Sequence, residues 1–190
     1  MAERLELGKL LYSVEYPERS SRLLIFVRWI LIIPHIFVLY FFRIAVSFTT
    51  FIAWFAILFT GSYPRGLWDF SVSYQVWSAN VTSYMLMQRD EYPPFGSGGY
   101  PVHFDLVYPE RLSRLLIFVK FILIIPHMIA LAFLGIAAFF VIVLTWFAIL
   151  ITGRNPQGLH SFVQGASRWA TRVDAYLSLL TDAYPPFSLD

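Results

Sequence analysis

The sequence predicts an all-α membrane protein of two repeated units, each a short N-terminal strand, a two-helix transmembrane hairpin and an amphipathic interfacial helix. Three observations carry this. Of 190 residues, 58% are hydrophobic and 14% charged, against about a quarter charged in soluble domains. Two apolar blocks, 23–59 and 115–151, interrupted only by Arg28, His35 and Arg43 in the first and by Lys120 and His127 in the second, are nearly twice the length of about 20 residues that one helical span needs. The chain also repeats itself at a constant offset: YPERSSRLLIFVRWILIIPH from Tyr16 and YPERLSRLLIFVKFILIIPH from Tyr108 agree at 17 of 20 positions.

The elements follow in order. The first 22 residues alternate in charge and lack the apolar core of a secretory signal. LLYSVEYP and YPVHFDLVYP alternate with period two and end at proline, which predicts strands that pair across the halves. Each apolar block is read as two spans, 23–42 with 44–60 and 115–134 with 136–152, reversing near Arg43 and Gly135. An even number of spans per block puts nearly every basic residue on one face, so both termini are expected to be cytoplasmic. A competing layout breaks the chain at Pro34 and Pro126, giving a short helix over 22–33 and one long span over 34–60, with inverted halves.

After G-x-x-P-x-G-L, a third helix is predicted over 64–88 and 156–180. Leu67, Phe70, Tyr74, Trp77, Val81 and Tyr84 form one stripe on it, and Leu159, Phe162, Ala166, Trp169, Val173 and Tyr176 another. Trp68, Trp77 and Trp169 are expected to anchor at the headgroup level; docking on the spans or strands is the alternative. Each unit closes on Tyr-Pro-Pro-Phe, where prolines end the helix. The units are thus 1–95 and 102–190, joined by a Gly/Ser linker at 96–101.

The Y-P-E-R-x-S-R, I-P-H, W-F-A-I-L-x-T-G, P-x-G-L and Y-P-P-F elements resemble, over nearly the whole chain, a tandem copy of the bacterial membrane domain of unknown function numbered four-three-eight-nine. The resemblance implies an integral membrane protein and supplies no catalytic residues. The halves depart from each other at Ser20 against Leu112 and at Arg43 against Gly135.

Among candidate sites, Glu18 with Arg22 and Glu110 with Arg114 are spaced for pairing on a helix that starts at Pro17 or Pro109. Arg19, Arg22, Arg111 and Arg114 are candidates for lipid phosphate or partner contact. Arg28 and Lys120 are expected to snorkel, and Arg43 to contact a partner or headgroup at the far turn. His35 and His127 are the intramembrane polar candidates. They either face each other across a pseudo-two-fold axis or bond to carbonyls and to hydroxyls such as Thr49, Thr50 and Thr145. His103 and His160 are expected at the surface.

No catalytic motif is present, and two histidines alone make a poor metal site, so no enzyme activity, metal or cofactor is expected. A net charge of +2, spread along the chain, excludes a nucleic-acid binder, and the lack of cysteine excludes disulfides and thiolate chemistry. The expected role is a non-enzymatic accessory or scaffold subunit with membrane lipids, other membrane subunits or itself as partners. The alternative is a small transporter or lipid-handling protein with a site between the repeats.

Overall fold

The computed structural model describes residues 10–190; the opening residues 1–9, part of the charged N-terminal stretch, lie outside the described residues. Strands β1 (Leu10–Val14) and β2 (Val102–Leu106) pair antiparallel. Tyr12 stands opposite Phe104, and Leu10 opposite Leu106. Tyr12 and Phe104 are the same position in the two repeats, so a pseudo-two-fold axis passes between them. The strands expected to pair across the halves do so, in the register that this symmetry dictates.

The apolar blocks differ from the expected hairpins. In the first, α1 (Leu24–Leu31) is followed by one residue, Ile32, still in right-handed helical geometry, and then by α2 (Ile33–Thr60). The second block gives α4 (Leu116–Leu123) and α5 (Ile125–Thr152) in the same way. Neither chain reverses near Arg43 or Gly135, so the paired spans 23–42/44–60 and 115–134/136–152 are corrected to one long helix each. The reason is local. A lone interior glycine costs a helix only about 1 kcal/mol relative to alanine, whereas a turn there would leave several backbone groups unpaired. Pro34 and Pro126 lie at the first turns of α2 and α5, where the missing N–H costs least, so the break falls where the competing layout placed it. Each long helix runs about 42 Å at 1.5 Å per residue and ends on a left-handed glycine, Gly61 (φ 76°) or Gly153 (φ 71°).

Helices α3 (Arg65–Met85) and α6 (Gln157–Leu177) fold back against α2 and α5 respectively. They dock on the long helices and on the strand pair, as the alternative to a surface-lying helix expected. Trp68, Trp77 and Trp169 are all buried, and so are the polar residues Ser71, Gln75, Asn80 and Ser83 of α3. The stripe was legible, but it faces α2, and the strand pair covers part of the opposite side: β2 rests on α3 and β1 on α6. Helices α3 and α6 meet antiparallel at the axis, with the Trp68 indole donating to the Leu180 carbonyl at one end and Gln75 reaching Asp174 further along.

The units are interlocked. The segment before α1 pairs with the end of α5, where Ser20 N–H donates to the Gly153 carbonyl (2.9 Å), and Leu112 N–H does the same to the Gly61 carbonyl of α2 (2.8 Å). Ile25, Met87 and Ile149 share one buried cluster, and Ile117 joins Ile57 in another. The start of α1 therefore lies near the end of α5, and the start of α4 near the end of α2.

Candidate functional sites

Two histidine cages repeat one geometry. The Trp77 indole N–H donates to His35 Nδ1 at 3.1 Å, and Trp169 does so to His127 at 3.0 Å. Phe95 stacks on His35 with centroids 4.1 Å apart, and Phe187 on His127 at 3.8 Å. The hydroxyls of Tyr92 and Tyr184 donate to the Leu31 and Leu123 carbonyls just before the prolines. This is why Tyr-Pro-Pro-Phe closes each unit: the diproline holds an extended strap whose aromatics wrap the imidazole. Each histidine is enclosed within its own unit, so the facing pair is corrected, and its partner is a tryptophan rather than Thr49, Thr50 or Thr145. An indole cannot accept a hydrogen bond, so Nδ1 is the acceptor and the ring proton sits on Nε2. Among the described residues no group of three ligand-type side chains forms a metal set.

Next to each cage lies a buried cation. Arg28, fully buried, donates to the Tyr84 carbonyl (2.5 Å) and to Asp90 (2.7 Å). Lys120 donates to the Thr181 carbonyl (2.7 Å) and pairs with Asp182 at 2.8 Å. Asp90 and Asp182 also accept from Ser21 and Ser113 N–H, fixing the approach to α1 and α4. The expected snorkelling is thus corrected: both side chains turn inward. Arg28 has Tyr84, and Lys120 has Tyr176, beneath its charge.

The basic candidates divide. Arg22 donates to the Ile151 carbonyl at 3.0 Å and lies against Gly153, and Arg114 lies likewise against Gly61. Each completes the C-terminus of the other unit's long helix, where unpaired carbonyls and the helix dipole favour a cation. The segment after Pro17 is not helical, so the expected pairing of Glu18 with Arg22 and Glu110 with Arg114 on a helix is corrected. Arg19 and Arg111 stay exposed. His160 is buried rather than at the surface. It occupies the position of Trp68, and burial, followed by the Arg89 charge, holds its pKa below the ordinary histidine value. His103 is exposed, 3.1 Å from Glu15.

Arg43 lies inside α2, not at a turn. Its guanidinium forms a two-pronged pair with Asp174 of α6 at 3.0 and 2.9 Å, over the Tyr74 ring. Gln75 also donates to Asp174 (2.5 Å). These groups line a cleft of about 440 Å³ between the units, which Tyr12 bounds at one side and Leu131, Leu134, Gly135 and Ala138 of α5 at another. Sequence reasoning missed Asp174, Gln75 and Tyr12; the signal for the pair was the lone charge at Arg43 where the other copy has Gly135.

The profile of one family, Domain of unknown function (DUF4389), matches residues 22–97 and again residues 114–188. The chain belongs to this family. Each match spans one DUF4389 unit from Arg22 or Arg114 to just past Tyr-Pro-Pro-Phe, so it contains the helix-end arginine, the cation pair and the histidine cage. Comparison with curated proteins and with solved structures gives no match.

Proposed function

We propose that this is a non-enzymatic bacterial membrane protein that lies in one leaflet of the cytoplasmic membrane and serves as an accessory or scaffold subunit for lipids or membrane partners. The observation that carries this reading is the outward surface of α2 and α5. Both are long and apolar enough to cross a membrane, yet only 22% and 6% of their most apolar windows are buried within the chain. Phe37, Phe41, Phe48, Phe133, Phe139 and Phe140 all point outward. The core helix of a soluble protein hides such residues, because apolar area left in water costs about 25 cal/mol per Å².

The symmetry supports an orientation. Related residues stand at equal height on the two-fold axis. Helices α3 and α6 are antiparallel about the axis and so lie across it. Helix α2 runs antiparallel to α3, with Thr49 at Ser71 and His35 at Trp77, so it too runs across the axis. With the axis in the membrane plane, α2 and α5 would cross the bilayer, but the strand pair would sit at the midplane. Glu15 and His103, with side chains 55% and 67% exposed, would be there. Charged groups at that depth cost at least about 2.5–3.5 kcal/mol each. With the axis along the membrane normal, the strands face water and the long helices lie in lipid.

A second reading, lipid handling at a site between the repeats, is favoured by the cleft at Arg43 and Asp174. The experiment for the main reading is extraction of bacterial membranes with alkaline carbonate: the chain stays in the pellet, and its release would refute lipid immersion.

A further inference from the structure

The two units match closely wherever they build the fold. The histidine cages, the buried cations with Asp90 and Asp182, and the helix-end arginines occur twice. Around the cleft the copies diverge. Arg43, Tyr74, Gln75 and Thr82 of the first unit correspond to Gly135, Ala166, Ser167 and Asp174 of the second. The pair between Arg43 and Asp174 therefore exists on one side of the axis only, and on the other Gly135 leaves open space, with nothing within 4 Å of a Cβ built there. Both side chains stay partly exposed in the cleft, at 44% and 29%. The buried Tyr12 side chain forms part of the cleft wall, with Ser167 and Arg168 as its polar neighbours.

We propose that the cleft binds a zwitterion carrying a phosphate and a primary ammonium, the chemistry of a phosphoethanolamine headgroup. This rests on the lipid-handling reading and names its ligand. Arg43 takes the phosphate as a planar fork of donors. Asp174 and the Tyr74 ring take the ammonium. A ligand with both charges replaces the ion pair without leaving either group uncompensated, which an anion or a cation alone cannot do. The apolar wall of Leu131, Leu134 and Ala138 continues into α5, where an acyl chain can run.

The test uses the purified, delipidated full chain in detergent, with retained lipid read by native mass spectrometry. Phosphatidylethanolamine is retained over phosphatidylglycerol by about tenfold or more, as charge-assisted hydrogen bonds allow. Asp174→Asn loses the preference. Gly135→Leu, which fills the cleft without touching the ion pair, loses retention while keeping its thermal midpoint; an ion pair that only joins the units would leave retention unchanged in this variant. Free O-phosphoethanolamine that displaces the lipid shows that the headgroup suffices, and lack of competition assigns the site to the intact lipid. Equal retention of both lipids by the natural chain, or undiminished preference in Gly135→Leu, overturns the proposal. Failure here with the chain still resistant to carbonate leaves lipid immersion standing; binding of the free headgroup by a carbonate-soluble chain would refute immersion alone.

Discussion

Replacing Asp90 with asparagine isolates the cost of a buried cation. Arg28 is fully buried, and Asp90, 23% exposed, carries a countercharge 2.7 Å away. Asp90→Asn keeps the volume and an oxygen for Ser21 N–H, so its effect reports on charge. Removing one partner of a buried pair costs about 3–5 kcal/mol, because the remaining ion stays desolvated. Arg28→Met removes the ion together with its desolvation penalty and leaves a half-solvated carboxylate, so it costs about 1–2 kcal/mol. The double variant should fall near Arg28→Met alone, giving a coupling about equal to the cost of Asp90→Asn itself, about 3–5 kcal/mol. The assay is equilibrium unfolding in detergent, followed by the fluorescence of the six tryptophans. The second unit supplies an internal replicate: Asp182→Asn opposite Lys120 should behave alike. Additive single effects, or a loss under about 1 kcal/mol for Asp90→Asn, would refute the reasoning.

Trp77→Phe removes the donor to His35 and should lower stability by about 1 kcal/mol or more for the lost hydrogen bond and volume, with Trp169→Phe matching it. Gly61→Ala places a Cβ at φ 76° and 3.4 Å from Arg114 Nε; about 1–2 kcal/mol of backbone strain should appear as a lower unfolding midpoint. His160 binds protons less readily folded than unfolded, so its share of stability is intact above the unfolded pKa of about 6.5 and is lost as pH falls from there toward the folded value. His160→Trp, the residue of the first unit, should flatten the loss of midpoint between pH 7.5 and 5.5.

Much of this fold was legible because the repeat doubles every signal. Period-two alternation marked LLYSVEYP and YPVHFDLVYP as strands that pair across the halves, while the register, with Tyr12 opposite Phe104, is set by the fold. The stripe on α3 was correct in spacing but not in destination: a face of Trp, Tyr and Phe suits a headgroup region and a neighbouring helix equally, and only packing against α2 separates them. The hairpins failed because composition reports that a segment prefers lipid, not how often it reverses; Pro34 marked the break, while Arg43 and Gly135 are interior helix residues. The histidine cages were half visible. His35 and Trp77 are 42 residues apart, as are His127 and Trp169, but nothing local ties an imidazole to a distant indole. Arg22 and Arg114 reach across to the other unit, an exchange that a sequence read linearly does not display.

The most direct measurement is side-specific maleimide labelling of single cysteines, introduced into a chain that has none, at Ser62, Arg154 and Ile136. Long helices lying across the axis in one leaflet place Ser62 and Arg154 on the same membrane face and leave Ile136 unlabelled from both. Labelling of Ser62 and Arg154 from opposite faces would show that α2 and α5 each traverse the bilayer, and labelling of Ile136 from the far face would restore the hairpin; either result contradicts the account.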